Sequence, residues 1–169
     1  VLRYQKSDMI LRVHSDGSYL SAPEARSRVG GHFFMGSNNF HDTSETNGAI
    51  HTTCEIIKNV MSAASEAESG AAFINCKTAV PLRITLEEMG HKQPATPVQI
   101  DNSTTNGIMN STIQQKRSKA MDMRFYWVQD SVKQGQFNVF WKPGATNQAD
   151  YHTKHHAPAH HHNMRPRFL

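Results

Sequence analysis

The chain of 169 residues is long enough for one α/β domain with a buried core. Its formal net charge of +4 fits a polyanionic partner but is too small to identify one. Two cysteines, Cys54 and Cys76, provide neither a disulfide framework nor zinc-ligand spacing, and no apolar run reaches the ~18 residues that span a bilayer. These features exclude a disulfide-rich secreted scaffold and a transmembrane segment, and we expect an intracellular protein.

The chain begins at Val1 in the middle of a hydrophobic pattern, which predicts a domain cut from a longer polypeptide. We expect residues 1–8 to be a linker from an upstream domain and residues 9–156 to form the folded domain. Residues 157–169 are predicted to be an extended His-rich tail, because Pro158 and Pro166 disfavour regular structure. Its histidines are expected to bind Ni²⁺ or Zn²⁺ only adventitiously; the alternative is a proton shuttle at His155 or His156.

Three short hydrophobic stretches predict consecutive strands over residues 9–15, 29–35 and 49–54. The first is expected to end at Asp16, because Asp-Gly is a common turn signal. Short connections between the three favour an antiparallel meander. The first third of the chain therefore predicts the start of a mixed α/β sheet.

From Ser62 the hydrophobic period becomes that of a helix with alanines along one face. Pro81 is expected to end or kink this helix, and a helical face then continues to Gly90. The remaining elements are predicted in this order: a strand over 98–100, helices over 102–113 and 118–132, a strand over 136–141, and a terminal helix from near residue 147.

Four acids stand in separate elements of this pattern: Asp16, Glu68, Asp101 and Asp150. Each has a structural alternative on its own, since Asp16 could form a turn, Asp101 could cap a helix and Asp150 could complete a capping box. Glu66 and Glu68 lie two apart on a helix and cannot face one site together; helix geometry favours Glu68 slightly without deciding. Jointly, acids at strand ends and on a nearby helix predict a divalent-cation site and a nuclease.

Six segments resemble, in chain order, motifs of one known family. Residues 14–19 resemble Ser-Asp-Ala-Asp-Trp, residues 26–31 resemble Arg-Ser-Thr-Ser-Gly, and residues 65–69 resemble Thr-Glu-Ala-Glu-Tyr. Residues 100–102 resemble Cys-Asp-Asn, residues 118–126 resemble Thr-Lys-His-Ile-Asp-Ile-Arg-Tyr-His, and residues 147–154 resemble Asn-Leu-Ala-Asp-Ile-Leu-Thr-Lys. These are motifs of the ribonuclease H domain that ends the Pol polyprotein of copia-like LTR retrotransposons. Four positions depart from the family pattern, Gly17, Ser18, Ser69 and Ala120, and none removes a metal ligand.

The resemblance implies a ribonuclease H-like α/β fold, with a mixed five-stranded sheet that starts with three antiparallel strands. It also implies an endonuclease that cuts the RNA strand of RNA–DNA hybrids downstream of a reverse transcriptase. Asp16, Glu68, Asp101 and Asp150 would be the catalytic residues and hold two Mg²⁺ ions, with Mn²⁺ as a substitute and Asp16 between the metals. The alternatives are a catalytically inactive module of the same fold that supports a reverse transcriptase, and a DNA-cutting transposase or integrase core.

Substrate contacts are expected from the densest basic cluster, which contains Lys116, Arg117 and Lys119. Ser18 and Asn102 adjoin predicted catalytic acids and are expected to reach the RNA backbone. A hybrid is recognised mainly through its shape, phosphates and 2′-OH groups, which suits such residues. The alternative for each basic residue is a solvated helix face.

Overall fold

The computed structural model describes residues 2, 4–37, 47–112 and 122–168. Its centre is a five-stranded sheet in the order β3-β2-β1-β4-β5. The strands are β1 (Ile10–Ala22), β2 (Arg26–Gly36), β3 (Ala49–Ile56), β4 (Thr96–Ile100) and β5 (Phe137–Trp141). The first three pair antiparallel, whereas β4 is parallel to both β1 and β5. The predicted mixed sheet with an antiparallel start is confirmed.

Five α-helices accompany the sheet in the described part of the chain. They are α1 (Ala64–Glu88), α2 (Ser103–Met109), α3 (Asp122–Lys133), α4 (Asp150–Thr153) and α5 (Pro158–Phe168). Within the described ranges, no helix is both apolar enough and long enough to traverse a bilayer. The start of the helix predicted over 118–132 lies outside the described residues, and the final predicted helix begins at Asp150 rather than near Asn147.

The core lies between the sheet and the helices α1 and α3. Leu11 and Val13 of β1 alternate with residues on the other face, and both are buried in this core. Ala72 and Cys76 of α1 pack in the same cluster, because small side chains let the helix backbone approach the sheet closely. This close approach brings the first turns of α1 against the middle of β1.

The first strand is longer than the sequence predicts. Asp16 pairs with Gly30 and Gly17 with Val29 inside a continuous ladder, so the turn expected at Asp16 and Gly17 is wrong. Gly17 faces the backbone of α1, where a Cβ atom would stand 2.5 Å from the carbonyl oxygen of Ala67. Glycine at this position therefore serves a close approach between strand and helix rather than a turn.

Helix α1 passes through Pro81 without ending there, contrary to one of the two expected outcomes. The turn after the proline is supported by the Thr85 hydroxyl, which donates to the Pro81 carbonyl at 3.0 Å. Leu86 is buried in the core and fixes the second half of the helix to the sheet. Tertiary packing thus outweighs the loss of one backbone donor at proline. The helix ends just before Gly90, which has a φ of 90°.

The C-terminal segment is helical, so the predicted extended tail is wrong for Pro158–Phe168. Proline is tolerated in a first helical turn, where its missing N–H has no intrahelical partner to lose. The ring of Phe168 stacks on Tyr151 with centroids 4.6 Å apart and contacts His152 edge-on. These aromatic contacts between α5 and α4 hold the segment in place, and they cannot be read from local sequence.

Candidate active site

Three of the four predicted acids converge at the end of the sheet where β1 and β4 adjoin the start of α1. Asp16 lies on β1, Glu68 on α1 and Asp101 directly after β4. One carboxylate oxygen from each lies within 4.8 Å of the other two. Asp16 and Glu68 are 3% and 2% exposed, whereas Asp101 is partly exposed. The cluster therefore has a buried floor and an open side.

Glu68 is held in the cluster by the strand that it faces. The backbone N–H of Gly17 donates to one oxygen of Glu68, Oε2, at 2.8 Å. The other oxygen, Oε1, is buried and has no hydrogen-bond partner among the residues that the structure describes. The backbone N–H of Asp101 also favours the charged form of this carboxylate. Glu66 lies elsewhere, because its carboxylate accepts from the backbone N–H of Ser62, two residues before α1 begins, at 2.7 Å. The helix register thus places Glu68, and not Glu66, beside the other acids.

Asp101 is positioned by the end of β4 and by the loop after β5. Its carbonyl accepts from the indole N–H of Trp141 at 2.9 Å. The helix-capping role considered for Asp101 belongs to Asn102, whose side-chain oxygen accepts from the Thr105 N–H at 3.0 Å. Gly144 lies so close that a Cβ there would meet the Asp101 carboxylate at 2.8 Å. The carboxylate of Asp101 therefore does not cap α2, and it lies beside Asp16.

Asp150 lies in the single turn of α4, outside the group of three. Its carboxylate pairs with the ammonium of Lys154, and both side chains are partly exposed. The charge of Asp150 nevertheless acts on Asp16 and Asp101, so it belongs to the same electrostatic neighbourhood. The capping-box alternative is not realised, because α4 begins at Asp150 without a side-chain cap, and the Asn147 oxygen accepts from the Ala149 N–H before the helix.

Helix α4 is fixed to the buried face of β1 by hydrogen bonds on both sides of Asp150. The Asn147 amide donates to the Ser15 carbonyl at 2.8 Å, and the Gln148 N–H donates to the Nδ1 atom of His14 at 3.1 Å. Burial lowers the pKa of His14 to about 3, which keeps this nitrogen a neutral acceptor. The Thr153 hydroxyl donates to the Asp16 carboxylate. These contacts bring Asp150 to the edge of the acid cluster.

The three clustered acids all have raised pKa values, and burial is the largest cause in each. Burial raises the pKa of Asp16 to about 6, with Asp101 and Asp150 adding to the rise and Thr153 and Lys154 opposing it. The pKa of Glu68 lies well above its ordinary value, through burial and then repulsion by Asp16 and Asp101. Burial and Asp150 raise the pKa of Asp101 as well. Positive charge at this point would lower these pKa values and favour the ionised carboxylates.

The residues present fit a divalent cation of the Mg²⁺ type. Hard cations take oxygen ligands, and the cluster offers only carboxylates. The unpartnered Oε1 of Glu68 is a second observation, separate from the clustering of the acids, that indicates a bound cation. A buried carboxylate oxygen without a donor costs free energy unless a cation or water satisfies it. The donor set therefore suits a hard metal ion better than it suits zinc.

Of the residues predicted to contact substrate, Ser18 and Asn102 lie near the acids with their side chains already hydrogen-bonded. The hydroxyl of Ser18 is buried, donates to the Thr153 carbonyl at 3.0 Å and bonds Ser21. Any contact of this hydroxyl with RNA would have to replace those bonds. Asn102 is partly exposed, but its side-chain oxygen caps α2. Lys116, Arg117 and Lys119 lie outside the described residues.

Two residues near the acids were not predicted as members of the site. Thr153 bonds Asp16, and Lys154 pairs with Asp150. Both follow Asp150 at helical spacings of three and four residues, which place them on one side of a helical turn. The spacing of Asp150 and Lys154 could have indicated the ion pair, whereas the contact of Thr153 with β1 required the fold.

The fold is ribonuclease H-like, as similarity to solved structures shows. LC11-RNase H1 isolated from compost superposes with a TM-score of 0.63 over 86% of this chain and 93% of its own, at 14% identity. The N-terminal RNase H domain of rv2228c from Mycobacterium tuberculosis gives a TM-score of 0.59 over 85% and 95%, at 15% identity. LC11-RNase H1 in complex with an RNA/DNA hybrid also gives 0.59, over 85% and 93%, at 12% identity. At these identities the likeness establishes the fold alone.

Sequence similarity points to a retroelement polyprotein. The chain is 26% identical over 148 residues to the retrovirus-related Pol polyprotein from transposon TNT 1-94 of Nicotiana tabacum. The match covers 88% of this chain, which spans about a tenth of that relative's length. No family model matches the chain. The resemblance to the ribonuclease H domain of a transposon Pol polyprotein, predicted from six short motifs, is confirmed.

Proposed function

We propose that this domain is a metal-dependent ribonuclease H that hydrolyses the RNA strand of RNA–DNA hybrids during retrotransposon reverse transcription. The observation that carries the proposal is the convergence of Asp16, Glu68 and Asp101 from three separate elements, with one oxygen of Glu68 buried and unpartnered. Bringing repelling carboxylates together costs free energy, and a module that only binds nucleic acid gains nothing from it.

Asp16, Glu68, Asp101 and Asp150 would hold two Mg²⁺ ions, with Mn²⁺ as a substitute. Asp16 is buried and lies within reach of both Glu68 and Asp101, which suits a ligand shared by both ions. Asp150 would complete the set from the open side. When bound, Mg²⁺ supplies the Lewis acidity that activates water for in-line attack and stabilises the leaving 3′ oxygen.

The protein's own contribution is to position these acids and keep them ionised. The N–H of Gly17 fixes one oxygen of Glu68 and leaves the other available as a ligand. The Thr153 hydroxyl holds one oxygen of Asp16 through a hydrogen bond. Both bonds favour the charged carboxylates and oppose the rise in pKa that burial causes. The ligands are thus oriented before any substrate arrives.

The proposed substrate is an RNA–DNA hybrid, consistent with the structural neighbour that is described in complex with one. Hybrid recognition depends on backbone shape, phosphates and 2′-OH groups. We assign the backbone contacts to Asn102, to Ser18 after rotation of its hydroxyl, and to the basic residues Lys116, Arg117 and Lys119. The relative is a transposon Pol polyprotein. From the motif resemblance we place the domain in a copia-like element. An upstream reverse transcriptase would be its partner, and the compartment would be cytoplasm, virus-like particle or nucleus.

The test is cleavage of a labelled RNA–DNA hybrid by the purified chain in Mg²⁺, with single-stranded RNA as the substrate control. Asp101→Asn is the site control, because an amide is a poor replacement for an anionic metal ligand while its shape is nearly the same. We expect hybrid-specific cutting that Asp101→Asn abolishes. Hybrid binding without cutting by the wild type would favour the inactive module, and an active Asp101→Asn variant would remove Asp101 from the site.

A further inference from the structure

Lys154 is a cation built into the edge of the acid cluster. Its ammonium pairs with the Asp150 carboxylate four residues earlier on α4. Its charge also acts on Asp16 and Asp101, the two acids that adjoin Asp150 electrostatically. A single lysine thus counters three carboxylates from three different elements of the fold.

Lys154 can leave this position without disturbing the core. Its side chain is 48% exposed, and its long stem can place the ammonium in water. The Thr153 hydroxyl, in contrast, is bonded to Asp16 in the buried part of the site. One turn of helix therefore provides a fixed hydrogen bond to one acid and a movable positive charge to another.

We infer that Lys154 is an internal counter-ion that pairs with Asp150 until a divalent cation takes its place. The inference rests on the proposed metal site but not on RNA cleavage. An exposed pair with i, i+4 spacing adds little to the stability of a helix, and α4 has only one turn. The main effect of Lys154 is therefore to reduce the negative charge of the acid cluster. A metal ion and the ammonium cannot both bind the same oxygens of Asp150, so they compete.

Removal of the charge has two opposite consequences. In Lys154→Met the stem keeps its approximate length, so the clustered acids lose a counter-ion and repel each other more strongly. We expect the melting temperature in EDTA to fall by a few degrees and the affinity for Mg²⁺ to rise about fivefold, the size that a partly screened ion pair allows. Lys154→Arg keeps the charge and is expected to behave like the wild type.

The experiment is calorimetric titration of Mg²⁺ into the full chain at low salt, with melting temperatures measured in EDTA and in saturating Mg²⁺. Lys133→Met is the matched control, since this exposed lysine of α3 is not among the charges acting on the acids. The inference is supported if Lys154→Met binds Mg²⁺ more tightly and is less stable only in EDTA. Added salt should reduce both differences.

An unchanged or weakened Mg²⁺ affinity in Lys154→Met would overturn the inference, because the ammonium would then not compete with the ion. If the wild type binds Mg²⁺ normally in that case, the proposed metal site stands and only the role of Lys154 falls. If the wild type binds no Mg²⁺, the metal-dependent function falls together with the inference. The two failures are therefore distinguishable in one titration series.

Discussion

The site has two sides that the fold builds in different ways. The β1–α1 corner, formed by Asp16, Gly17 and Glu68, is buried and fixed by a backbone hydrogen bond. The α4 edge, formed by Asp150 and Thr153 of the single-turn α4 and by Lys154 directly after it, is partly exposed at its two charged residues. In the proposed metal site, the corner would determine where the ion binds, whereas the edge would adjust how tightly it binds.

The largest effect is expected at the buried corner. Glu68→Gln keeps the shape but removes an anionic ligand, and we expect cleavage to fall at least about a hundredfold, or ~2.7 kcal/mol in the activation barrier. The metal-free protein should be no less stable at pH 7, because a carboxylate with a raised pKa has been removed from a buried position. Single-turnover cleavage and urea unfolding in EDTA measure the two quantities.

Glu66→Gln is the matched control for Glu68→Gln, since it changes the same residue type two positions earlier. It weakens the contact with the Ser62 N–H at the start of α1 and should cost about 0.5 kcal/mol of stability. Cleavage should stay within about threefold of the wild type, less than 1 kcal/mol in the barrier. The reverse ranking of the two variants would place Glu66, not Glu68, in the site.

The second prediction tests whether the corner depends on backbone contact. In Gly17→Ala the added Cβ would lie 2.5 Å from the Ala67 carbonyl oxygen and 2.8 Å from the Glu68 Cα, so the strand and helix must separate. We expect a loss of about 3 kcal/mol in the free energy of unfolding, measured by urea denaturation. Gly70→Ala on the same helix is the control, because its Cβ would meet the flexible end of Met61 at 3.2 Å. A neutral Gly17→Ala would contradict the close packing.

The third prediction concerns pH. Asp16 has a pKa of about 6 in the folded protein against an ordinary 3.8, so the folded state binds more protons between these values. The stability of the metal-free protein should therefore fall as the pH rises from about 4 to 6, by up to about 3 kcal/mol from this residue. Asp16→Asn should lack this contribution. Unfolding of both proteins in EDTA at several pH values measures the difference, and parallel profiles would refute it.

Much of the fold could be predicted because the strands and helices show clear hydrophobic periods. The errors lie where distant residues outweigh local signals. Asp-Gly predicts a turn, yet β1 continues through it because β2 pairs with it and α1 packs on Gly17. The prolines of the last residues predict an extended tail, yet Phe168 stacks on Tyr151 and the segment is helical. Local pattern contains no information on either contact.

The acids of the site could be predicted from their order, and the choice between Glu66 and Glu68 needed the resemblance or the helix position. What the sequence did not indicate is how the acids are supported. The Gly17 N–H on Glu68 and the Thr153 hydroxyl on Asp16 join residues 51 and 137 positions apart. Such bonds depend on the sheet and helices already being packed, so they follow from the fold rather than from any motif.

The smallest effect is expected at the α4 edge. Asp150→Asn removes the ion pair with Lys154, and it also removes the repulsion that Asp150 exerts on Asp16 and Asp101. For partly exposed groups the two terms are each below about 1 kcal/mol and opposite in sign, so the unfolding free energy in EDTA should change by less than about 0.5 kcal/mol. Urea denaturation beside Glu68→Gln checks this. A loss well above 1 kcal/mol would show that α4 depends on the pair for its position, and the edge would then be as rigid a part of the site as the corner.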